Sequence, residues 1–174
     1  HAAPLDTAAF LAASGIMRED VTLERCRALN LAGQHAQVLE LMASRQFVPC
    51  EGGEHAVAEQ YMFAHHALGR RAIQVGDLQT ALTHFLAAQH LPENLGAGLW
   101  NEVLLVPHQS FEARCLEELG RRDEARALYD HILILKVDYF SNMNLPELPC
   151  WQAMALKRTG RAPQAQEMIS GLDS

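Results

Sequence analysis

The chain has 174 residues, with 14 Lys and Arg against 21 Asp and Glu, and therefore a net charge of −7. A chain of this length supports one compact domain or one array of repeats with a real core. The acidic balance argues against a nucleic-acid binder, because proteins that track phosphates normally present a basic surface. No apolar run approaches the roughly 20 residues that span a bilayer, which argues against a transmembrane protein.

Residues 1–18 are interpreted as an N-terminal extension that carries a short helix, for which Asp6 is the predicted N-cap. The segment lacks the basic flank of a signal peptide. No two cysteines form a CxxC pair, so we expect reduced, mostly buried thiols and a cytoplasmic location. The cysteines are Cys26, Cys50, Cys115 and Cys150.

The rest of the chain, residues 19–174, repeats a pattern about four times. The register is marked by Gly33, Gly76, Gly120 and Gly160. A small residue stands seven positions before each glycine: Cys26, Gly69, Ala113 and Ala153. An apolar residue stands four positions before it: Leu29, Ala72, Leu116 and Leu156. The pattern continues after each glycine with Val38, Ala81, Ala125 and Ala165, and then with the larger Met42, Phe85, Tyr129 and Ile169. Because a glycine can end a helix in the left-handed conformation, this register predicts helical hairpins with closely packed axes.

This register resembles the tetratricopeptide repeat, most closely at Leu68-Gly69, Gly76-Asp77, Ala81, Phe85 and Ala88. The resemblance covers roughly residues 19–172 and implies an all-α fold, a right-handed superhelix or α-solenoid of about four helical hairpins. The glycines are 43, 44 and 40 residues apart, whereas a plain repeat has about 34, so each unit carries an insertion. Two insertions are visible, at residues 46–54 and 92–109. Apolar residues in steps of three and four from Val57 to Val75 predict one helix of about six turns.

The second unit also resembles the C-terminal repeat region of large bacterial proteins that begin with an uncharacterised β-rich domain, similar to carbohydrate-active sandwich folds. The matching segments are Pro49 with Glu51-Gly52-Gly53-Glu54, then Gln60-Tyr61, then residues 92–96 (PENLG), and, more loosely, Asp138-Tyr139-Phe140 with Leu145-Pro146. Cys50 stands where those proteins have Trp. The resemblance implies a multidomain parent with this chain as its helical part, and it brings no catalytic residues.

An arginine stands six positions before the first three repeat glycines: Arg27, Arg70 and Arg114. In tetratricopeptide arrays the first helix of each hairpin lines the concave face, so these side chains predict a cationic ladder for an acidic protein segment. The alternative is structural pairing with carboxylates of a neighbouring unit, such as Glu117 or Glu118. The full set of candidate partner-binding residues is Arg27, Arg70, Arg114, His66, Phe63 and Trp100.

The predicted function is a non-enzymatic interaction or scaffold module, which binds an acidic segment of another protein or docks against a β-rich domain of its own parent chain. The alternative is an accessory part of a carbohydrate-processing enzyme, with Glu51, Asn94 or Trp100 in a cleft wall. Glu51 and Glu54 with Gly52 and Gly53 read better as the start of a helix than as an acid/base pair. The histidines lack metal-ligand spacing, so no metal or cofactor is expected. Trp151 is predicted to lie in the core, and an exposed end repeat offers a homodimer contact.

Overall fold

The computed structural model describes residues 19–48, 54–98, 101–136 and 146–171, and the regular structure within these ranges is entirely helical. The α-helices are α1 (Glu19–Leu31), α2 (His35–Ala43), α3 (Glu54–Gln74), α4 (Leu78–Ala87), α5 (Val106–Glu118), α6 (Arg122–Ile134), α7 (Leu148–Arg158) and α8 (Ala162–Ser170). Two short 3-10 turns, Glu93–Leu95 and Glu102–Leu105, lie between α4 and α5. The predicted all-α fold of four helical hairpins is confirmed. The predicted helix at Asp6 lies outside the described residues.

Each hairpin turns at the glycine that marks the sequence register, and in each the glycine φ lies between 74° and 81°. The same two backbone hydrogen bonds close every turn. In the third hairpin, the N–H of Arg121 donates to the carbonyl of Leu116 (2.8 Å) and the N–H of Gly120 donates to that of Glu117 (3.0 Å). These bonds define a Schellman motif, which satisfies carbonyls left free at a helix end. The apolar residue predicted four positions before each glycine therefore also supplies the carbonyl that accepts the hydrogen bond from the residue after the glycine.

The chain divides into two compact units, and the long helix α3 changes from one to the other after Leu68. Within the described residues, unit 1 comprises 19–48, 54–68 and 91–98. Its core consists of Cys26, Val38, Met42, Phe47, Ala64 and Leu95. A polar network ties its helices together: the buried Asn30 side chain donates to the carbonyl and side-chain oxygens of Gln60 (both 3.0 Å), and its own oxygen lies 2.9 Å from His35 Nδ1.

Unit 2 comprises residues 69–90, 101–136 and 146–171 of the described chain. Its main core includes Ala81, Phe85, Ala113, Leu116, Ala125, Tyr129 and Ile132. The small residues predicted at the helix crossings are buried, which explains why the repeat pattern keeps them small. The side chain of Asp77 begins α4 by accepting a hydrogen bond from the N–H of Thr80 (3.1 Å).

Three details differ from the sequence predictions. The second insertion ends before residue 109, because α5 already begins at Val106 and accommodates Pro107 in its first turn. The predicted long helix is present as α3 but stops at Gln74, and Val75 is 76% exposed in the turn. Cys26 and Cys115 are free and buried, as predicted, whereas Cys150 is exposed near the start of α7.

Candidate functional site

Two arginines of the predicted ladder meet on one aromatic ring in unit 2. Arg70, near the end of α3, has its guanidinium carbon 5.8 Å from the centre of the Phe111 ring. Arg114 lies three residues after Phe111 on α5, and its guanidinium carbon is 5.2 Å from the same centre. Both distances fall within the range of cation–π attraction, so the Phe111 ring holds the two cations of successive hairpins together.

Neither arginine of this pair forms an ion pair with a carboxylate in the described part of the chain. The Nε of Arg114 is buried and has no hydrogen-bond partner among the described residues. The two guanidinium groups on one ring therefore form a local positively charged patch on a chain whose net charge is −7. Planar guanidinium groups suit a carboxylate, which they bind with two parallel hydrogen bonds.

The Phe111 ring continues into an aromatic row. It stacks on Phe85 with a centroid separation of 5.3 Å, and Trp151 of α7 meets it edge-on at 6.2 Å. Trp151 is half-buried and packs against the core of unit 2, as predicted. Beside it lies an apolar pocket of about 510 Å³ lined by Pro107, Glu147, Cys150, Trp151 and Met154. The paired arginines contact the Phe111 ring and the pocket is lined by Trp151, so the contact between these two rings links the arginines to the pocket.

The other predicted partner-binding residues belong to unit 1 or lie outside the described residues. Arg27 belongs to unit 1 and forms an ion pair with Glu24 of its own helix. Phe63 is 53% exposed, and its ring meets that of His35 edge-on at 5.7 Å. His66 is half-buried on α3. Trp100 lies outside the described ranges, as do Glu51, Gly52 and Gly53, whereas Glu54 is the first residue of α3.

Asn94, a candidate for a cleft wall, holds two segments of unit 1 together. Its side-chain NH₂ donates to the carbonyls of Met42 (2.9 Å) and Arg45 (2.7 Å). The backbone carbonyl of Asn94 accepts a hydrogen bond from the backbone N–H of Phe47 (2.8 Å). Both N–H donors of the amide are therefore used within the unit, and the motif residue Asn94 fixes the Glu93–Leu95 turn against the chain that follows α2.

Glu117, one of the two carboxylates predicted as structural partners of the ladder, binds other groups. Glu117 accepts hydrogen bonds from the Tyr129 hydroxyl (3.0 Å) and from Arg158 of α7 (3.4 Å). Burial and the hydrogen bond to Glu117 raise the pKa of Tyr129 above its ordinary value. Arg161 of the last hairpin likewise bonds Asp130 of α6 (2.7 Å). Ion pairing between successive hairpins thus occurs, but it uses Arg158 and Arg161 rather than the predicted ladder.

Two features of the site were not found from the sequence. The first is Phe111, which lies in the third hairpin three residues before Arg114. Residues at i and i+3 on one helix are neighbours, so this spacing could have indicated the contact between the ring and the arginine. Glu112 is only 8% exposed and accepts a short hydrogen bond (2.5 Å) from the side chain of Gln89. Burial raises the pKa of Glu112 above its ordinary value, against the smaller opposing effects of the Gln89 bond and nearby cations. No local pattern marks a buried glutamate of this kind.

The described side chains include neither a cluster suited to a metal ion nor a buried thiol that ionises near neutral pH. No group of three or more His, Cys, Asp or Glu in the described ranges is arranged to hold a metal ion. Burial raises the pKa values of both Cys26 and Cys115 to about 11, so neither is a thiolate near neutral pH. Within the same ranges, no helix has both the length and the apolar character needed to cross a bilayer.

Comparison with known families finds the tetratricopeptide repeat. Its family model matches residues 62–87 and 106–131, which cover most of α3 with α4 and most of α5 with α6. No solved structure matches the chain. Tetratricopeptide repeats generally mediate protein–protein interaction or scaffolding and typically have no enzymatic activity. The second and third helical hairpins of this chain thus each match the tetratricopeptide repeat.

Proposed function

We propose that the chain is a non-enzymatic docking module that binds an acidic segment of a partner protein through Arg70 and Arg114. The observation that carries the proposal is the pair of guanidinium groups on the Phe111 ring, for which the described residues supply no carboxylate. Arg70 is exposed, whereas Arg114 is half-buried with its Nε unbonded among the described residues. Because desolvating a charge costs free energy, a ligand that completes Arg114 best explains its burial. A bound carboxylate supplies that missing partner.

Arg27 contributes less to this proposal than the other two arginines. Glu24 already neutralises its guanidinium group within α1, and a surface pair of this kind contributes only about 0–1 kcal/mol. Phe63, His66 and Trp100 remain predicted contact residues, and an acidic partner gives no particular role to them. The proposed site therefore reduces the predicted ladder to Arg70, Arg114 and the ring between them.

The acidic segment comes either from another protein or from a β-rich domain of the same parent chain. A parent of that kind is implied by the sequence resemblance alone, so we treat the docked domain as one source of the ligand. The role in a carbohydrate-processing cleft is the weaker proposal, because the amide of Asn94 is already bonded to Met42 and Arg45. A cytoplasmic location and a homodimer through an end repeat also stay predictions.

The test is a fluorescence-anisotropy titration with labelled peptides that carry Glu or Asp at several spacings, together with neutral Gln and Asn versions. We expect saturable binding of the acidic peptides, and at least about tenfold weaker binding to the double variant Arg70→Ala with Arg114→Ala. The exposed Arg122 of α6 provides the matched control, since Arg122→Ala removes one charge away from the Phe111 ring. Equal loss of binding in Arg122→Ala would indicate attraction by net charge and contradict a defined site.

A further inference from the structure

We propose that the ligand of this site is a charge-polarised peptide, with an acidic residue at one end, a bulky apolar residue in the middle and a basic residue at the other end. The inference rests on the proposed function of Arg70 and Arg114. It adds to the acidic residue of the ligand an apolar residue and a basic residue. It is carried by three features of unit 2: the arginine pair, the apolar pocket and Glu147.

The apolar middle residue fits the pocket beside Trp151. This pocket has a volume of about 510 Å³, and four of its five lining residues are Pro107, Cys150, Trp151 and Met154. Met154 is 43% exposed, although it occupies the position that an arginine holds in the first three hairpins. A flexible thioether beside an indole ring adapts to apolar side chains of different shape, such as Leu, Met or Phe.

The rings set the spacing between the acidic and the apolar residue. The guanidinium carbon of Arg70 is 5.8 Å from the Phe111 centre, and Trp151 is 6.2 Å from that centre. Together these distances place the guanidinium carbon of Arg70 and the ring centre of Trp151 at most about 12 Å apart, a length that an extended chain covers in roughly three to four residue steps. We therefore place the acidic and the apolar side chain no more than about three or four positions apart in the peptide.

The basic end of the proposed peptide is inferred from Glu147. Its exposed side chain lines the apolar pocket, one helical turn before Trp151 on the chain that begins α7. No ion pair of Glu147 occurs in the described part of the molecule. A second acidic residue beyond the apolar one would be repelled there, whereas a lysine or arginine would be attracted. The pocket thus disfavours a uniformly acidic peptide, which net charge at Arg70 and Arg114 alone would favour.

The experiment uses the full chain and five labelled peptides of equal length. Two carry one Asp, one Leu and one Lys in the order acidic–apolar–basic or the reverse, because the structure leaves the direction of the bound chain open. The third has Asp at both ends, the fourth has Ser in place of Leu, and the fifth has Asn in place of Asp. We expect one of the polarised peptides to bind at least about fivefold tighter than each of the other four.

Two variants separate this inference from the proposed function. Glu147→Lys should reverse the order of affinity between the polarised peptide and the doubly acidic peptide, and Met154→Ala should weaken only peptides that contain Leu. Circular dichroism establishes that both variants are folded. If the doubly acidic peptide binds best to the native chain, or if neither variant changes the order, the inference is overturned while Arg-dependent binding remains. If no peptide binds at about 1 mM, the proposed function is overturned as well.

Discussion

Gly69 lies directly against the ring of Phe85 at the crossing of α3 and α4. A methyl group placed on Gly69 would come within 2.8 Å of both Cε1 and Cζ of that ring, closer than real contacts allow. Phe85 is itself fully buried and stacks on Phe111, which carries the two arginines of the proposed site. The close approach of the two helices therefore also supports the ring on which Arg70 and Arg114 meet.

Replacing Gly69 by Ala is predicted to destabilise the protein although alanine favours helices. Within a helix the change would ordinarily raise the free energy of unfolding by about 1 kcal/mol. Here the Phe85 ring must move, and overpacking of a core typically lowers the free energy of unfolding by about 1–3 kcal/mol. Urea unfolding monitored by circular dichroism measures the net effect. In the background Phe85→Leu the cost of Gly69→Ala should become smaller or change sign. An equal cost in both backgrounds would show that the ring is not the cause.

The hairpin turn at Gly120 is predicted to require glycine for its conformation rather than for space. Its φ is +81°, and a methyl group there would meet no atom within 4 Å. Gly120→Ala should therefore lower the free energy of unfolding by about 1–2 kcal/mol through backbone strain. Gly171 has a right-handed conformation with φ −74° and ordinary contacts, so Gly171→Ala is the matched control and should be neutral or stabilising. Equal effects of the two changes would contradict the proposed role of the left-handed turn.

Asn94→Ala is predicted to loosen unit 1. The change removes two hydrogen bonds to the carbonyls of Met42 and Arg45, which should cost about 1–3 kcal/mol. Asn94→Asp should cost more, because a carboxylate would face two carbonyl oxygens without an N–H to donate. Hydrogen exchange of the amides around Phe47 reads the effect locally, and the exposed Glu93 of the same turn provides the control Glu93→Ala. Unchanged exchange in Asn94→Ala would contradict the assigned role.

Glu112 gives the protein a pH-dependent stability. Because burial raises the pKa of Glu112 in the folded protein above its ordinary value of 4.5, folded Glu112 holds its proton more tightly than unfolded Glu112 does. Its contribution to the free energy of unfolding should therefore fall as the pH rises from 4.5 through the raised pKa, and level off above it. Glu112→Gln keeps the hydrogen bond with Gln89 and removes this loss.

The measurement is urea unfolding of the native chain and of Glu112→Gln at about pH 4 and at about pH 7. The variant should be the more stable of the two at the higher pH, and its advantage should shrink at the lower one. The exposed Glu118 on the same helix supplies the control Glu118→Gln, which should show a smaller pH-dependent difference. An advantage of Glu112→Gln that is constant across pH would exclude ionisation as its origin.

The hairpins were predictable from sequence because their determinants are local. Gly76 permits the positive φ that ends its helix. A small residue such as Gly69 and a large one such as Phe85 recur at constant sequence distances from the glycine of each hairpin. The end of the second insertion was less predictable, because Pro107 indicates a turn as readily as a first helical turn, and the structure uses it in the second way.

The candidate site was predictable only in part. Arg70 and Arg114 share a repeat position, so the sequence identifies both as candidates. Their meeting on Phe111 depends on a tertiary contact between Arg70 and a ring far along the chain, which no spacing in the sequence reveals. Arg27 pairs with Glu24 in a local i, i−3 contact, whereas the sequence pattern predicted partners in neighbouring units.

The most direct test of the central claim is an NMR titration that observes the Nε–H groups of the arginine side chains while an acidic peptide is added. The account predicts saturable shifts at Arg70 and Arg114, with the larger effect at Arg114, whose Nε is buried without a partner in the described residues. The exposed Arg122 and Arg126 should show little change. Shifts of similar size at all four arginines, or none at Arg70 and Arg114, would contradict a defined carboxylate site.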